Sequence, residues 1–229
     1  GEAPRLPNFP FMSKPLEHTF VIKVLQECNY LQANEGNIDP VHTSYLHAFR
    51  PDDASRKDAL RTGITQDIFG VDTAPRISLR DVRWGLRLLT ERTLPEKGRR
   101  LLRVTNFVMP NGCAIGGAET PFGLGGASMF WHVPIDDTSH YRMEFTFHSK
   151  TRLPKESMAE RYRVELDEEG MPLRRPENRY LQNRAEMDRS YLGMGRSFPS
   201  HDLFVTESQG AIMDREAENL VTSDIAIVR

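Results

Sequence analysis

Residues Glu27–His47 read ECNYLQANEGNIDPVHTSYLH, and this stretch decides how the rest of the chain is understood. It holds Asp39, His42 and His47 in a D-x2-H-x4-H arrangement. Neutral imidazole is a ligand for iron, zinc, copper and nickel, and a pair this close with a carboxylate ahead of it suits a single ion. If the segment is helical, Asp39 and His42 share one face, whereas His42 and His47 diverge on an ideal helix. They converge only where the helix is irregular, as at a one-turn π-bulge. Gly36 and Pro40 supply a place for a break or a helix start. The plainer alternative makes one histidine a core residue and the other a surface one.

The run Asn29-Tyr30-Leu31-Gln32-Ala33-Asn34-Glu35-Gly36, with Ile38-Asp39, His42 and Leu46-His47 behind it, resembles the iron-binding segment of Rieske non-haem iron oxygenases. It is similar in particular to the branch that includes phthalate dioxygenase and lignin-biaryl O-demethylases. The resemblance continues at His132-Val133-Pro134-Ile135-Asp136-Asp137, at Glu207-Ser208-Gln209-Gly210, at Asp214-Arg215-Glu216 and at Ser223-Asp224, so it touches most of the chain.

The resemblance implies a mononuclear Fe(2+) held by two histidines and one carboxylate. His42 and His47 are the first two ligands. The candidates for the third are Asp202, Glu207 and Asp214. The resemblance selects Asp202, because the family's carboxylate precedes the glutamine of a Ser-Gln pair by the spacing that separates Asp202 from Gln209. Asp202 also opens a helical run, so a helix N-cap competes for the same side chain. Asp39 is a possible ligand on spacing alone, but its family counterpart is a catalytic residue behind the metal. That residue hydrogen-bonds a ligand imidazole and contacts a cluster histidine of the neighbouring subunit. Carboxylates in that position orient the ring and fix its tautomer. Asn29, Gln32 and Glu35 are expected to line the iron pocket, and Thr43 and Ser44 to face substrate. His132, His140, His148 and His201 read as structural or exposed, although His201 adjoins Asp202.

Length and composition set the outer bounds. A chain of 229 residues has ample core for one large domain or two small ones. The net charge is −2 with dispersed basic residues, which excludes a nucleic-acid footprint. No apolar run approaches a membrane span and no signal pattern opens the chain. Cys28 and Cys113 are the only cysteines. Two free thiols in a reducing cytoplasm is the simplest reading. A Rieske [2Fe-2S] cluster needs two cysteines and two histidines, and neither cysteine here has a histidine in a C-x-H or C-x2-H frame. The cluster is therefore expected on a part of the protein absent from this chain. Residues 1–16, rich in proline, are expected to be the linker from that missing Rieske domain. Residues 17–229 form the catalytic domain, with a charged insertion at about 149–200. The start at Gly1 and the apolar end at Arg229 fit the catalytic part of a longer polypeptide.

The patterning gives an α+β chain. His18–Gln26 alternates and reads as a strand feeding the metal segment. Residues 49–75 read as a loop with short helical pieces. Strands then follow at Arg76–Val82, Trp84–Glu91, Gly98–Met109, Met129–Val133 and His140–His148, with a hairpin turn at Pro95–Gly98. Asn111–Gly126 is glycine-rich but lacks the Gly-Lys-Ser/Thr ending of a phosphate loop, so it reads as a rim loop. The stretch 149–200 reads either as a solvated excursion or as a lid or subunit contact. Phe204–Arg229 returns to helical spacing. The resemblance names the arrangement a helix-grip, START-like domain: a curved antiparallel sheet around a long C-terminal helix.

Two functional readings follow. The first is an oxygenase that activates O2 at iron with electrons from a Rieske cluster, supplied by a reductase or ferredoxin. It acts on an aromatic, carboxylated substrate by ring dihydroxylation or O-demethylation, in a homotrimer whose subunits pair cluster to iron. Arg50, Arg80 and Arg103 are candidates for the substrate carboxylate. The second is a non-catalytic helix-grip domain binding an apolar ligand. A hydrolytic zinc site, with three protein ligands and a water, is a third and weaker reading.

Overall fold

A computed structural model describes residues 8–47, 70, 72–94, 98–116, 125–163, 165–187, 191–195 and 197–229. Its centre is a seven-stranded, wholly antiparallel curved sheet of order β1-β7-β6-β5-β4-β3-β2. The strands are β1 (Thr19–Gln26), β2 (Arg76–Val82), β3 (Gly85–Thr93), β4 (Arg100–Val108), β5 (Gly112–Gly116), β6 (Gly126–Pro134) and β7 (His140–His148). Strands β2 to β7 form a continuous meander, and β1 returns to pair with β7 from Thr19↔Phe147 to Gln26↔His140. Six of the seven strands lie where the alternation placed them. The exception is β5, which the glycine-rich reading of Asn111–Gly126 had assigned to a rim loop. GCAIG is too short to show alternation, yet it is bonded on both sides, Phe107↔Cys113 on β4 and Cys113↔Phe130 on β6.

The α+β class holds, with the helices α1 (Tyr30–Ile38), α2 (His42–Tyr45), α3 (Lys155–Arg163), α4 (Phe198–Glu207) and α5 (Ile225–Val228). Helix α1 lies across β4, β5 and β6, and α5 packs near β2. Register decides which side chains meet them, because cross-strand partners share a face. Leu88, Thr105 and Ile115 are successive partners on one face, with Cys113 and Phe107 beside them. Leu88, Cys113 and Ile115 form a buried core with Ile38 of α1 and Ala226 of α5. Removing a side chain such as Leu88 from water is worth about 2 kcal/mol.

Three expectations need correction. Phe204–Arg229 is not one long helix. Helix α4 starts earlier, with Pro199 in its first turn, and stops at Glu207; Gly210 then takes φ +97, a conformation open to glycine and costly for other residues. Beyond it, Asp214 caps a single 3-10 turn and only Ile225–Val228 is helical again. Ile212, Leu220, Ile225 and Val228, expected on an apolar helix face, are exposed.

The N-terminal segment is not a free surface linker in its described part. Phe9 and Phe11 pack on Trp131, and Phe11 stacks on Phe145.

The charged stretch 149–200 is likewise more than a solvated excursion. Its Tyr180 and Met194 are buried with Val24 of β1 and Leu203 of α4. The ion pairs Arg174–Glu165 and Arg175–Asp167 and the bridge Leu166↔Pro172 fold it on itself.

Arg50, most of the 49–75 loop, the tip of the Pro95–Gly98 turn and the later part of the glycine-rich loop lie outside the described residues. No helix among the described residues is long and apolar enough to cross a membrane.

Candidate metal centre

Helix α1 begins because Asn29 accepts a hydrogen bond from the Leu31 amide. It ends at Ile38 because Pro40 follows: the residue before a proline is pushed out of the helical region, and Asp39 sits at ψ 114. The chain restarts as α2, a single turn over His42–Tyr45, and His47 lies just past its end. This resolves the spacing problem through the kind of break for which the sequence offered Gly36 and Pro40. The two rings come together, with centroids 5.2 Å apart, because the helix stops between them and not because of a π-bulge.

Helix α4 brings Asp202 to the pair. His47 Nε2 is 2.9 Å and His42 Nε2 is 3.8 Å from Asp202 Oδ1. One donor atom each from His42, His47 and Asp202 lies within 4.8 Å of the others. Glu207 and Asp214 are elsewhere: Glu207 accepts from the Glu27 amide and Asp214 caps its turn.

The chemistry of the donors fits a divalent metal. His42 Nδ1 is 2.7 Å from the Asp39 carbonyl oxygen, which only accepts, so Nδ1 carries the proton and Nε2 presents its lone pair towards Asp202. Burial works to raise the Asp202 carboxyl, but the charge and hydrogen bond of His47, then His42 and Arg142, hold it well below the usual range. The carboxylate is therefore ionised. His42 is shifted upward: burial opposes its charge, but Asp39 and Asp202 outweigh burial, and Arg103 pushes the other way.

Asp39 is not in the cluster. Its carboxylate accepts from the Val41 and His42 amides at 2.7 and 3.0 Å, and stands 3.6 Å from His42 Nδ1. The short bond to the ring comes from its backbone carbonyl, not from the carboxylate as the resemblance had implied. Burial raises its carboxyl, but His42 and the two amides outweigh that and lower it.

The remaining expected site residues face other partners. Asn29 caps α1 and donates to Asp137 O. Buried Gln32 donates to Thr206 O and Gly210 O and accepts from the Met213 amide. Glu35 pairs with Arg215 at 2.8 Å. The Asn29 side chain ties α1 to the β6–β7 connection, and Gln32 and Glu35 tie it to the chain around and after α4, instead of lining the metal. Thr43 and Ser44 are buried and accept from Arg92, at 3.1 and 2.8 Å, so they do not present a substrate face.

Three residues near the centre were not read as site residues from the sequence. Arg92 of β3 is almost wholly buried and also donates to the Pro40 carbonyl at 2.5 Å and to that of Asp72. Arg142 of β7 is buried, its Nε has no hydrogen-bond partner among the described residues, and its charge helps to keep Asp202 ionised. His201 is fully buried against His47. Of the three, only His201 had a signal in the sequence, its place beside Asp202.

The other histidines are structural, as expected. His132 Nδ1 lies 3.0 Å from His140 Nε2, and His140 Nδ1 donates to Cys28 O. Burial keeps both rings neutral, His140 down at about 4. His148 Nδ1 accepts from the Lys150 and Thr151 amides.

Comparison with known proteins agrees with this architecture. The chain is 29% identical over 245 residues to the phthalate 4,5-dioxygenase oxygenase subunit of Pseudomonas putida, covering 100% of this chain and 53% of that protein. The chain thus spans about half the length of the curated relative it matches. Among solved structures, NdmB of Pseudomonas putida CBB5 superposes with a TM-score of 0.54 at 15% identity, over 98% of this chain and 51% of that one. The terminal oxygenase of carbazole 1,9a-dioxygenase from Novosphingobium sp. KA1 gives 0.45 at 13% identity, over 92% and 54%. The family described as "LigXa C-terminal domain like" matches residues 2–229. The chain belongs to the LigXa C-terminal domain family, whose model matches nearly its whole length.

Proposed function

We propose that this chain is the catalytic domain of a Rieske-type non-haem iron oxygenase, with His42, His47 and Asp202 as the protein ligands of a mononuclear iron(II). The observation that carries the reading is the convergence of two imidazole Nε2 atoms on one ionised carboxylate. Two histidines and a carboxylate on one side leave coordination positions for O2 and water. A domain that only binds an apolar ligand has no use for this set. The inner face of the sheet also argues against that reading, since Thr90, Arg92, Arg103, Thr105 and Arg142 are buried there. Iron(II) bound here supplies the activation of O2. The chain's own residues hold the His42 ring through the Asp39 carbonyl, hold the His47–Asp202 pair in contact, and set positive charge beside them.

The substrate class follows from that charge. Arg80 is exposed on β2. Arg103 is buried on β4, close enough to His42 for its charge to oppose protonation of that ring. Of the two described candidates, Arg103 is the one suited to an anionic, carboxylated aromatic substrate, the class named in the phthalate dioxygenase relative. Ring dihydroxylation or O-demethylation is the reaction. Electrons come from a [2Fe-2S] Rieske cluster on a part of the polypeptide outside this chain, itself reduced by a ferredoxin or reductase. Residues 1–16 are the connection to that part and 17–229 the catalytic unit, in a trimer that sets each cluster beside a neighbour's iron. The two buried thiols, neither in a disulfide among the described residues, suit a reducing cytoplasm.

Metal analysis of protein purified under reducing conditions tests the reading. About one iron per chain is expected, lost in His42→Ala and in His47→Ala while circular dichroism stays native. Iron retained in either variant overturns the ligand assignment. Zinc at the same stoichiometry turns the reading towards a hydrolytic centre.

A further inference from the structure

We propose that His201 is a positioning residue that locks His47 in the tautomer able to bind metal, and that the backbone of Gly195, within the charged insertion, is the anchor of that lock. The inference rests on the reading of His42, His47 and Asp202 as a metal site and goes beyond it to a residue outside the ligand set.

The argument follows the protons through two rings. His201 Nε2 lies 2.8 Å from the Gly195 carbonyl oxygen. A carbonyl has no proton to give, so His201 Nε2–H donates. The other ring nitrogen, His201 Nδ1, faces His47 Nδ1 at 3.3 Å. Only one proton fits between them. His201 has no solvent exposure and His47 is 6% exposed, and a cationic His201 would place an extra charge in that dry contact at a cost of several kcal/mol. With His201 neutral, His47 Nδ1–H donates to the lone pair of His201 Nδ1. His47 Nε2 is then the atom that faces the ionised Asp202, its N–H donating to Oδ1 at 2.9 Å in the metal-free centre, and a metal ion would take the place of that proton. The rings are 5.4 Å apart and only 26° from parallel, so packing holds the alignment as well as the hydrogen bond does.

The placement of these parts is specific. His201 and Asp202 are neighbours on α4, so one helix turn delivers both a ligand and the brace of another ligand. Gly195 has φ +79, which suits glycine, and a Cβ added there would lie 3.0 Å from the Arg174 guanidinium. His42 has the same device in a different form, its Nδ1 held by the Asp39 carbonyl. Both ligand rings are therefore set to present Nε2. Partners behind metal-bound imidazoles commonly contribute 10- to 100-fold in metal affinity.

The test uses cobalt(II) as a probe, titrated into this chain and followed by its visible ligand-field absorption. His201→Phe keeps the ring packing and removes the acceptor, and cobalt should bind about 10- to 100-fold more weakly. His201→Asn restores an acceptor oxygen near the Nδ1 position, and affinity should recover to within about 3-fold of the parent. Nitrogen–proton correlation spectra of the zinc-loaded parent should show His47 protonated at Nδ1; this reading needs no variant to fold. Parent-like cobalt affinity in folded His201→Phe, or a His47 bound to zinc through Nδ1, overturns the proposal and leaves the metal site standing. Cobalt that fails to bind the parent, or binds His42→Ala and Asp202→Ala equally well, overturns both.

Discussion

At the scale of single residues, Asp39 and Glu207 show how environment assigns roles to carboxylates. The Asp39 carboxylate is spent on the Val41 and His42 amides, while its backbone carbonyl holds the His42 ring. Asp39→Asn leaves the carbonyl in place and should retain the iron. It removes the negative charge and one acceptor, which should cost about 1 kcal/mol of stability through the weakened bonds from the Val41 and His42 amides. On the proposed function, with a cluster on a neighbouring subunit reducing this centre, turnover of the full-length protein should fall by ~10-fold or more with cluster reduction unchanged. Loss of iron from this variant, or unimpaired turnover, contradicts the assignment.

Glu207 is different. Burial pushes its carboxyl up to about 7; the Glu27 amide and Tyr180 oppose that, and the charges of Glu27 and Glu177 add to it. The unfolded chain loses this proton near 4.5. Between those values the native state binds a proton that the unfolded state has lost, so the Glu207 contribution to stability falls as pH rises from about 4.5 to about 7 and is level above. The effect is at most about 3 kcal/mol. Urea denaturation at pH 5 and pH 8 should show the decline in the parent and a flatter profile in Glu207→Gln.

At the scale of elements, the metal segment is a helix, a break and one further turn, and a strand braces it. Arg92 of β3 holds Pro40 O, Thr43 and Ser44, all inside the D-x2-H-x4-H segment. Four-residue helices have no stability of their own, so α2 depends on this brace. Arg92→Met leaves a carbonyl and two hydroxyls buried with a lost donor, and should destabilise the fold by about 2–4 kcal/mol. It should weaken iron retention as well. Arg92→Lys should not restore either property, because a single ammonium cannot reproduce the planar fork. Denaturation curves with metal content measured on the same samples check this. A variant that loses stability but keeps stoichiometric iron shows that the brace serves folding alone.

At the scale of the whole molecule, the site is assembled from parts far apart in the chain. Helix α2 and the residues just past it supply the histidines, α4 the carboxylate, β3, β4 and β7 the arginines, and the charged insertion the carbonyl behind His201. On the proposed function, electron supply falls to a part of the protein outside this chain. Cys28 and Cys113 are both buried, and burial pushes the Cys28 thiol up to about 12, so neither is poised to hold a cluster. The chain alone should show no Rieske absorption and no turnover with a reductase. Activity restored by supplying the cluster-bearing part supports the division of labour; activity without it refutes that division.

The sequence by itself determined the strands whose alternation survives burial on one face, because the period-2 pattern is local and requires no partner to be seen. It also determined the histidine pair, and by resemblance the choice of Asp202 for the third position. It could not determine β5, whose glycines erase the alternation, or the true end of α4, where Gly210 overrides apolar spacing that continues to Val228. The geometry of the centre was decided only by tertiary structure. Whether His42 and His47 converge depends on Pro40 breaking one helix and on the next ending at Tyr45. Whether Asn29, Gln32, Glu35, Thr43 and Ser44 touch a ligand or a neighbouring segment depends on which strands and helices pack over them. The tautomers of the two ligand rings depend on the carbonyls of Asp39 and Gly195. The physical reason is the same in each case: a hydrogen bond or a buried charge takes its meaning from atoms across space, and residue order does not encode where those atoms will be.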